Sequence, residues 1–309
     1  MSPLSVGLDL GGTHIRAVAF DDALAAVARA SAPTAAEEGV EAVVARMAEC
    51  VREVVGTEGL HGVGVGAAGL TDWRSGTVLL ASNLGWRDVP LRDLLSAALD
   101  GARVVVDKDT NAAALAEARL GAGRALRHFL YVTVGTGIGG GEVLDGRLYR
   151  GATGGAGDFG HVVVDPAGPR CGCGAGGCVE VYASGAGIVD RARERGLTAD
   201  DLTTEAVFRA AEQGDPAAAG VIESAADALG LALATYVNLN NPEAIIVGGG
   251  VAAAAPGYRE RAERALKQRA LPALAAVVEV VPTGLDGDAG ALGGALLLTE
   301  DSDDRRVDT

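Results

Sequence analysis

Two stretches, VGLDLGGT at residues 6–13 and VTVGTGIGGG at residues 132–141, each run an apolar segment straight into glycines and a threonine. A short apolar run of this kind reads as a buried strand. Glycine at its end lets the chain turn tightly and lets backbone N–H groups approach an anion. The recurrence suggests two related halves. Around the first stretch, Val40, Val43, Val44, Met47, Val51 and Val54 fall at helical spacing, and HGVGVGAAG follows as the next strand. Pro90 stands where a first helical turn begins before LRDLLSAAL, and RVVVDKD is another buried strand. Strand and helix therefore alternate over the first 110 residues, which predicts an α/β domain.

Beyond it, FLYVTVGTGIGGGEVLDGRLY reads as a β-hairpin with a glycine-rich bend. Asp215 and Pro216 start a long apolar helix that Pro242 stops. EAIIVGGG is a strand, YRERAERALKQRA a charged surface helix, AVVEVV a strand and DAGALGGALLLTE a final helix. The polar tail after it is expected to be disordered. A chain of 309 residues, 49% of them hydrophobic, has room for one or two cores.

The 41 acidic against 26 basic side chains leave a net charge of -15, which repels phosphate backbones and anionic lipid. Nucleic acid and membrane are not expected partners, whereas a small phosphorylated ligand held by local backbone amides is compatible with this charge. No apolar run reads as a membrane span, and MSPLSVGLDLGG has no basic leader, so the expected compartment is the cytoplasm.

Asp9, Gly11, Gly12 and Thr13 close the first strand, and Thr133, Gly135, Thr136, Gly137 and Gly139 line the second turn. Each taken alone is equally a tight hairpin; together they suggest two jaws on one nucleotide. Neither is followed by the Lys-Ser/Thr of a Walker loop. Asp107 and Asp109 sit where a strand enters a helix, with Asn111 as a candidate cap. In open α/β sheets such strand ends carry ligands and catalytic groups, and an aspartate there can act as a general base toward a hydroxyl. Helix capping explains Asp109 or Asn111 but not both aspartates.

CGCGAGGC, residues 171–178, holds three of the four cysteines, with His161 ten residues upstream. In a reducing compartment such a cluster is a metal or redox site rather than a disulfide framework. Cys171, Cys173, Cys178 and His161 supply the closed four-ligand set of structural zinc, and a CxC pair lacks the CxxC spacing of thioredoxin-like chemistry. Asp158 and Glu180 flank the cluster and are placed to accept hydrogen bonds from a polyhydroxyl ligand, although solvation would account for either. Cys50 reads as core, Trp86 as packing or a cavity wall, and His14, His61 and His128 receive no role.

Taken together these segments resemble the ROK family of sugar kinases and related repressors, within the actin-like ATPase superfamily. LDLGGTHIR is similar to the family's first phosphate motif, VTVGTGIGGG to the second, IIVGGG to its adenosine segment, and GHVVVDPAGPRCGCGAGGCVEVYASG to its zinc-binding signature. The resemblance implies a two-lobed, ribonuclease H-like α/β fold with nucleotide and sugar in the cleft between lobes. Residues 1–111, completed by a helix at about 288–302, would form the small domain; residues 112–287, with a zinc loop at 158–180, the large one; and 303–309 a disordered tail. It further implies transfer of the ATP γ-phosphoryl group, with Mg²⁺, to a primary hydroxyl of a hexose. Asp109 would be the base, Asn83, His161 and Glu180 would border the sugar, and Asp9 would help hold magnesium. Thr13 and Thr136 would contact phosphate beside Gly11, Gly12 and Gly137, and Gly248, Gly249 and Gly250 would admit the adenosine. His161, Cys171, Cys173 and Cys178 would bind zinc, and the protein would assemble as a homodimer or homotetramer.

The chain departs from the pattern on the sugar side. Family glucokinases carry Asn-Asp where Lys108-Asp109 stands, and Glu-x-Gly-His where Asp158-Phe159-Gly160-His161 stands. Those changes leave open an acceptor other than glucose, such as an amino hexose (kanosamine) or a C7-cyclitol, and a non-catalytic sugar-sensing regulator is the alternative of another class.

Overall fold

The computed structural model describes residues 3–198, 202–285 and 287–304. The chain forms two compact units: Met1–Arg124, Leu148–Ala156 and Gly284–Thr309 make the first, Ala125–Arg147 and Gly157–Thr283 the second.

In the first unit the chain runs β1 (Leu4–Leu10), β2 (His14–Phe20), β3 (Ala26–Pro33), α1 (Val40–Val55), β4 (Leu60–Ala67), β5 (Leu70–Asp72), β6 (Thr77–Ala81), β7 (Trp86–Val89), α2 (Leu91–Ala98), β8 (Val104–Lys108) and α3 (Asp109–Leu120). The main sheet has the order β3-β2-β1-β4-β8. β2 is antiparallel to β1 and β3, while β1, β4 and β8 are parallel. In this register Asp9 lies opposite Gly66, and Gly66 opposite Asp107, so both aspartates stand at the carboxyl edge of one sheet. β5, β6 and β7 form a separate three-stranded sheet.

The second unit begins with β9 (Phe129–Val134) and β10 (Ile138–Leu144), and β11 (Arg147–Tyr149) carries the chain across the division. Asp145 and Gly146, both at positive φ, make the two-residue turn between β10 and β11. α4 (Glu180–Ala183), α5 (Gly185–Glu194), α6 (Thr204–Glu212) and α7 (Pro216–Asn240) follow. Then come β12 (Ala244–Gly248), α8 (Gly250–Ala254), α9 (Pro256–Arg269), α10 (Pro272–Ala275) and β13 (Glu279–Pro282). The sheet order, β11-β10-β9-β12-β13, repeats that of the first unit, again with an antiparallel second strand and parallel β9, β12 and β13. The recurrence of strand and glycine in the sequence thus corresponds to a repeated topology.

α7 is capped by Asp215, whose Oδ1 accepts from Ala218 N at 2.9 Å, and ends at Asn241 in the left-handed region just before Pro242. It is long and apolar enough to cross a membrane, where the sequence was expected to hold no such span, yet 56% of its most apolar window is buried. Its buried face packs in the core of the second unit with Leu130, Val132, Ile245 and Leu266.

β2, β3 and the small sheet at 70–89 are not foreshadowed in the sequence. β3, AVARASAP, is largely small residues with weak strand preference. The strand expected over AVVEVV starts only at Glu279, because the N–H groups of Val277 and Val278 both donate to Leu274 O in the last turn of α10.

α11 (Ala289–Asp304) closes the first unit, and residues 305–309 of the expected disordered tail lie outside the described residues. The helix lies on the sheet at backbone distance. A Cβ placed on Gly7 would stand 1.6 Å from Ala291 O, and one on Gly64 1.8 Å from Gly294 O. No rotamer relieves a clash with backbone. Gly64→Ala is therefore expected to destabilise the protein by about 3 kcal/mol or more, at or beyond the upper end of overpacking costs. Urea unfolding checks this; a midpoint within error of the parent would refute the packing.

Candidate active site

The turn after β1 is built by backbone and held by a buried threonine. Gly11 N donates to His14 O at 3.0 Å, and Thr34 N donates to Thr13 O at 2.9 Å. Thr34 Oγ1 in turn donates to Gly11 O at 2.8 Å. Thr34 lies at the end of β3, so no local pattern in the sequence pointed to it. Gly12 faces Asn83: a Cβ at Gly12 would come within 2.9 Å of the Asn83 amide nitrogen. Asp9 sits beneath the turn, 3.6 Å from the exposed guanidinium of Arg16. Burial raises its pKa from the ordinary aspartate value, and Arg16 offsets this only in part. The α11 glycines reach this point as well, since a Cβ on Gly290 would lie 2.9 Å from Asp9 Cγ.

The β8–α3 junction carries the second carboxylate. Asp109 is the first residue of α3 and its Oδ1 accepts from Thr110 N at 2.7 Å. Asp107 is buried and serves a structural purpose. Its Oδ1 accepts from Lys108 N at 2.7 Å and from Asn111 Nδ2 at 2.8 Å, while Oδ2 accepts from Arg150 Nε at 2.6 Å. Asn111 is therefore not the helix cap; Lys108 occupies that position without a side-chain cap bond. The Lys108 side chain is buried too, and its Nζ donates to Ala156 O at 2.9 Å. Arg150 also lies over the Trp73 ring, 4.6 Å from its centroid, and Arg74 lies at 4.7 Å. Trp86 belongs to the hydrophobic core, which settles its role as packing.

The second unit presents the corresponding turn after β9. Gly135 N donates to Gly137 O at 3.0 Å, and Gly135 O and Thr136 O accept from Gly185 N and Ala186 N of α5. Glu180 Oε2 accepts from Ile138 N at 3.0 Å. Gly248 ends β12 opposite Thr133, and Gly249 (φ 91°) turns the chain into α8 at Gly250. A cavity of about 160 Å³ opens beside it, lined by Thr204, Glu205, Phe208, Arg209, Glu212, Val251 and Ala254. Apart from the neighbouring Val251, these residues carry no phosphate-type motif and were not singled out from sequence.

Asp158 precedes a 3-10 turn, Phe159–His161, that carries His161 toward the cysteines. One donor atom from each of His161, Cys171, Cys173 and Cys178 lies within 4.8 Å of all the others. Cys171 Sγ is 3.6 Å from His161 Nδ1, and Cys173 Sγ is 3.6 Å from Cys178 Sγ. Tetrahedral zinc with bonds of about 2.0–2.3 Å needs ligand atoms roughly 3.3–3.8 Å apart, a spacing that both of these pairs meet. Burial raises the thiol pKa of Cys171 and pushes that of Cys178 up to about 12, whereas the backbone N–H of Ala175 lowers that of Cys173.

The structure thus brings Asp9, Gly11, Gly12, Thr13, Asn83, Lys108 and Asp109 into the first unit. It brings Thr136, Gly137, Asp158, His161, the cysteines, Glu180 and Gly248–Gly250 into the second.

The ROK family model matches residues 5–301. The chain belongs to the ROK family. It is 36% identical to a glucokinase of Halalkalibacterium halodurans over 96% of this chain and 94% of that protein. A ROK family glucokinase from Streptomyces griseus, solved in complex with glucose and AMPPNP, superposes with a TM-score of 0.82 at 35% identity, covering 95% of this chain and 98% of that one. A kanosamine kinase of Amycolatopsis mediterranei is 34% identical over 82% of this chain and 83% of that protein. The mixed-sheet α/β architecture is that of the ROK glucokinase structure.

The raised Asp9 carboxyl has a consequence for stability. With a folded pKa above its unfolded value, the group binds protons more readily in the folded state, so its contribution is fully present in acid and is lost as pH rises through the folded pKa. Asp9→Asn removes that loss. The variant should melt higher than the parent at pH 7, with the gap closing below about pH 3.9, the ordinary aspartate value. Melting curves between pH 3.5 and roughly 8 test this, and parallel profiles would refute it.

Proposed function

We propose that this protein is an ATP-dependent carbohydrate kinase that moves the γ-phosphoryl group to a primary hydroxyl of a hexose. What carries the reading is the placement of Asp9 and the β8–α3 junction at one sheet edge, in a chain 36% identical to a glucokinase along nearly its whole length. Phosphoryl transfer needs a positioned alcohol, donors on the phosphate oxygens and a carboxylate for the alcohol proton.

Each part has a candidate. The N–H groups of Gly11 and Gly135 close their own turns, and the remaining N–H groups of Gly11–Thr13 and Gly135–Gly137, with the hydroxyls of Thr13 and Thr136, would be each turn's donors to phosphate. The cavity beside Gly250 and Val251 would receive the base. Magnesium, when bound, would neutralise phosphate charge, and Asp9 is the carboxylate that would hold it through water. Asp109 would accept the proton of the attacking hydroxyl, its orientation fixed by the Thr110 N–H. Asn83, next to Gly12, is the first unit's candidate for contact with sugar hydroxyls, and Asp158, His161 and Glu180 are the second unit's candidates. His161, Cys171, Cys173 and Cys178 would hold zinc as a closed, structural centre. Four cysteines outside any disulfide, three of them gathered with His161, fit a reducing, cytoplasmic setting.

A modified acceptor is the second reading. Lys108 and Asp158 stand where family glucokinases carry Asn and Glu, and the kanosamine kinase is a relative of similar identity. A screen of ATP consumption over glucose, mannose, amino hexoses and cyclitols, with product NMR locating the phosphate, separates the two. Turnover on none of them would remove the kinase reading.

Asp109→Asn is expected to lower kcat by about 10²–10⁴-fold, the range for loss of a general base, while sugar binding by calorimetry stays measurable. Unchanged turnover would remove Asp109 as the base. Metal analysis should find about one zinc per chain, and chelation should unfold the 158–180 segment or abolish sugar affinity. A fully active metal-free preparation would refute the zinc centre.

A further inference from the structure

Glu180 occupies a place that the sugar-binding role alone does not account for. It is the first residue of α4, two positions after Cys178. Its Oε1 lies 4.0 Å from Cys171 Sγ, and its Oε2 accepts from Ile138 N at 3.0 Å, at the exit of the second phosphate turn. The fit around that carboxylate is close: a Cβ on Gly137 would stand 2.7 Å from Oε2, and one on Gly160, next to His161, 3.5 Å. One carboxylate therefore bonds to the turn, lies beside one of the metal-type cysteines and leaves no room for a side chain at Gly137.

α4 is only four residues long, so little within it fixes Glu180. It is held from both sides: its own C=O accepts from Ser184 N at 3.2 Å, Val179 and Ala183 are buried in the core of the second unit, and the chain on its N-terminal side joins it to the metal-type donors. Val179 N donates to Val162 O at 2.8 Å and Val181 N to Cys178 O at 3.2 Å, so the backbone around Glu180 is tied to the cysteine loop and to the residue after His161. That loop is a glycine-rich segment without a regular strand ladder: isolated bridges at Val163–Cys178 and Arg170–Gly176 and backbone bonds such as Cys171 N to Ala175 O and Gly177 N to Pro169 O close it on itself. A cation on the four donors would lock it, and loss of the cation would let Glu180 drift from Ile138.

We propose that Glu180 is a positioning residue that couples metal occupancy of the His161/Cys171/Cys173/Cys178 cluster to the nucleotide affinity of the Thr133–Gly139 turn. This rests on the kinase reading above, which puts nucleotide phosphate at that turn. A preformed turn binds more tightly because the cost of ordering it is already met. Coupling between two sites is reciprocal, so nucleotide must raise metal affinity by the same factor that metal raises nucleotide affinity.

The test is calorimetric titration of MgADP, without sugar, into the zinc-loaded and zinc-stripped full-length protein. Loaded protein should bind about tenfold more tightly, within the usual range of coupling between sites. Glu180→Ala should bind as weakly as stripped protein whether or not zinc is present, and Glu180→Gln, whose amide oxygen still accepts from Ile138, should recover part of the response. Should stripping unfold the chain, chelator competition on loaded protein gives the reciprocal quantity: zinc held about tenfold more tightly with MgADP, and no such gain in Glu180→Ala. Equal MgADP affinities in loaded and stripped protein, or equal zinc affinities with and without MgADP, overturn the coupling alone. Absence of MgADP binding to the loaded protein overturns the kinase reading and the coupling with it.

Discussion

The seating of α11 on the first sheet governs much of what the first unit can do. Helix and strands meet there through glycine, with Gly7 and Gly64 set against the backbone carbonyls of Ala291 and Gly294. The same helix fixes two chemical groups. Gly290 brings it against the Asp9 carboxylate, and Gly293 brings it against Ala112 O in α3, the helix that starts with Asp109. Close contact also excludes water, and desolvation is what raises Asp9. A packing device at the end of the chain thus sets both the position of one carboxylate and the protonation behaviour of another.

The β8–α3 junction shows a second way of holding a site. Asp107 and Arg150 form a buried ion pair whose carboxylate also accepts from Lys108 N and Asn111 Nδ2. Desolvation of such a pair cancels much of its attraction, so its stabilising effect on the fold is small, whereas removing one partner strands the other and costs about 3–5 kcal/mol. Its value is geometric. Arg150 and Ala156 sit at the two ends of one segment, the first bonded to Asp107 and the second to Lys108. Lys108 is therefore engaged in tethering that segment, a structural role independent of any contact with an acceptor.

How much was legible in the sequence follows from how local each feature is. The two glycine turns and the histidine-cysteine cluster are written in short contiguous stretches, and the structure forms the turns and gathers the four metal-type donors. The strand-end position of Asp107 and Asp109 was equally readable, because a buried apolar run ends there. The clamps were not. Thr34 on Gly11, Arg150 on Asp107, and Glu117 accepting from Ala122 N and Gly284 N join residues that only the folded chain brings together. The Asn111 cap failed for the same reason: the stronger partner for its amide was a carboxylate one turn back, already buried by the sheet. The alanine-rich β3 was missed because only Ala30 of it is buried, and small residues on a largely exposed strand leave little apolar signal.

Both units use one sheet topology and put a glycine turn at the same edge, yet they stabilise that turn by different chemistry. In the first unit a buried hydroxyl and a strand-end amide, both from Thr34, hold Gly11 and Thr13. These groups are neutral and lie in a segment tied down by Arg46, whose guanidinium donates to Thr34 O at 2.8 Å. In the second unit the turn leans on backbone N–H groups of α5 and on the Glu180 carboxylate, the latter set next to thiols. A neutral clamp inside a strand-bonded frame has no reason to respond to a bound cation. A carboxylate clamp set beside the loop that carries the four metal-type donors is the one that a cation on those donors would reach, so the two turns share a topology and differ in what holds them.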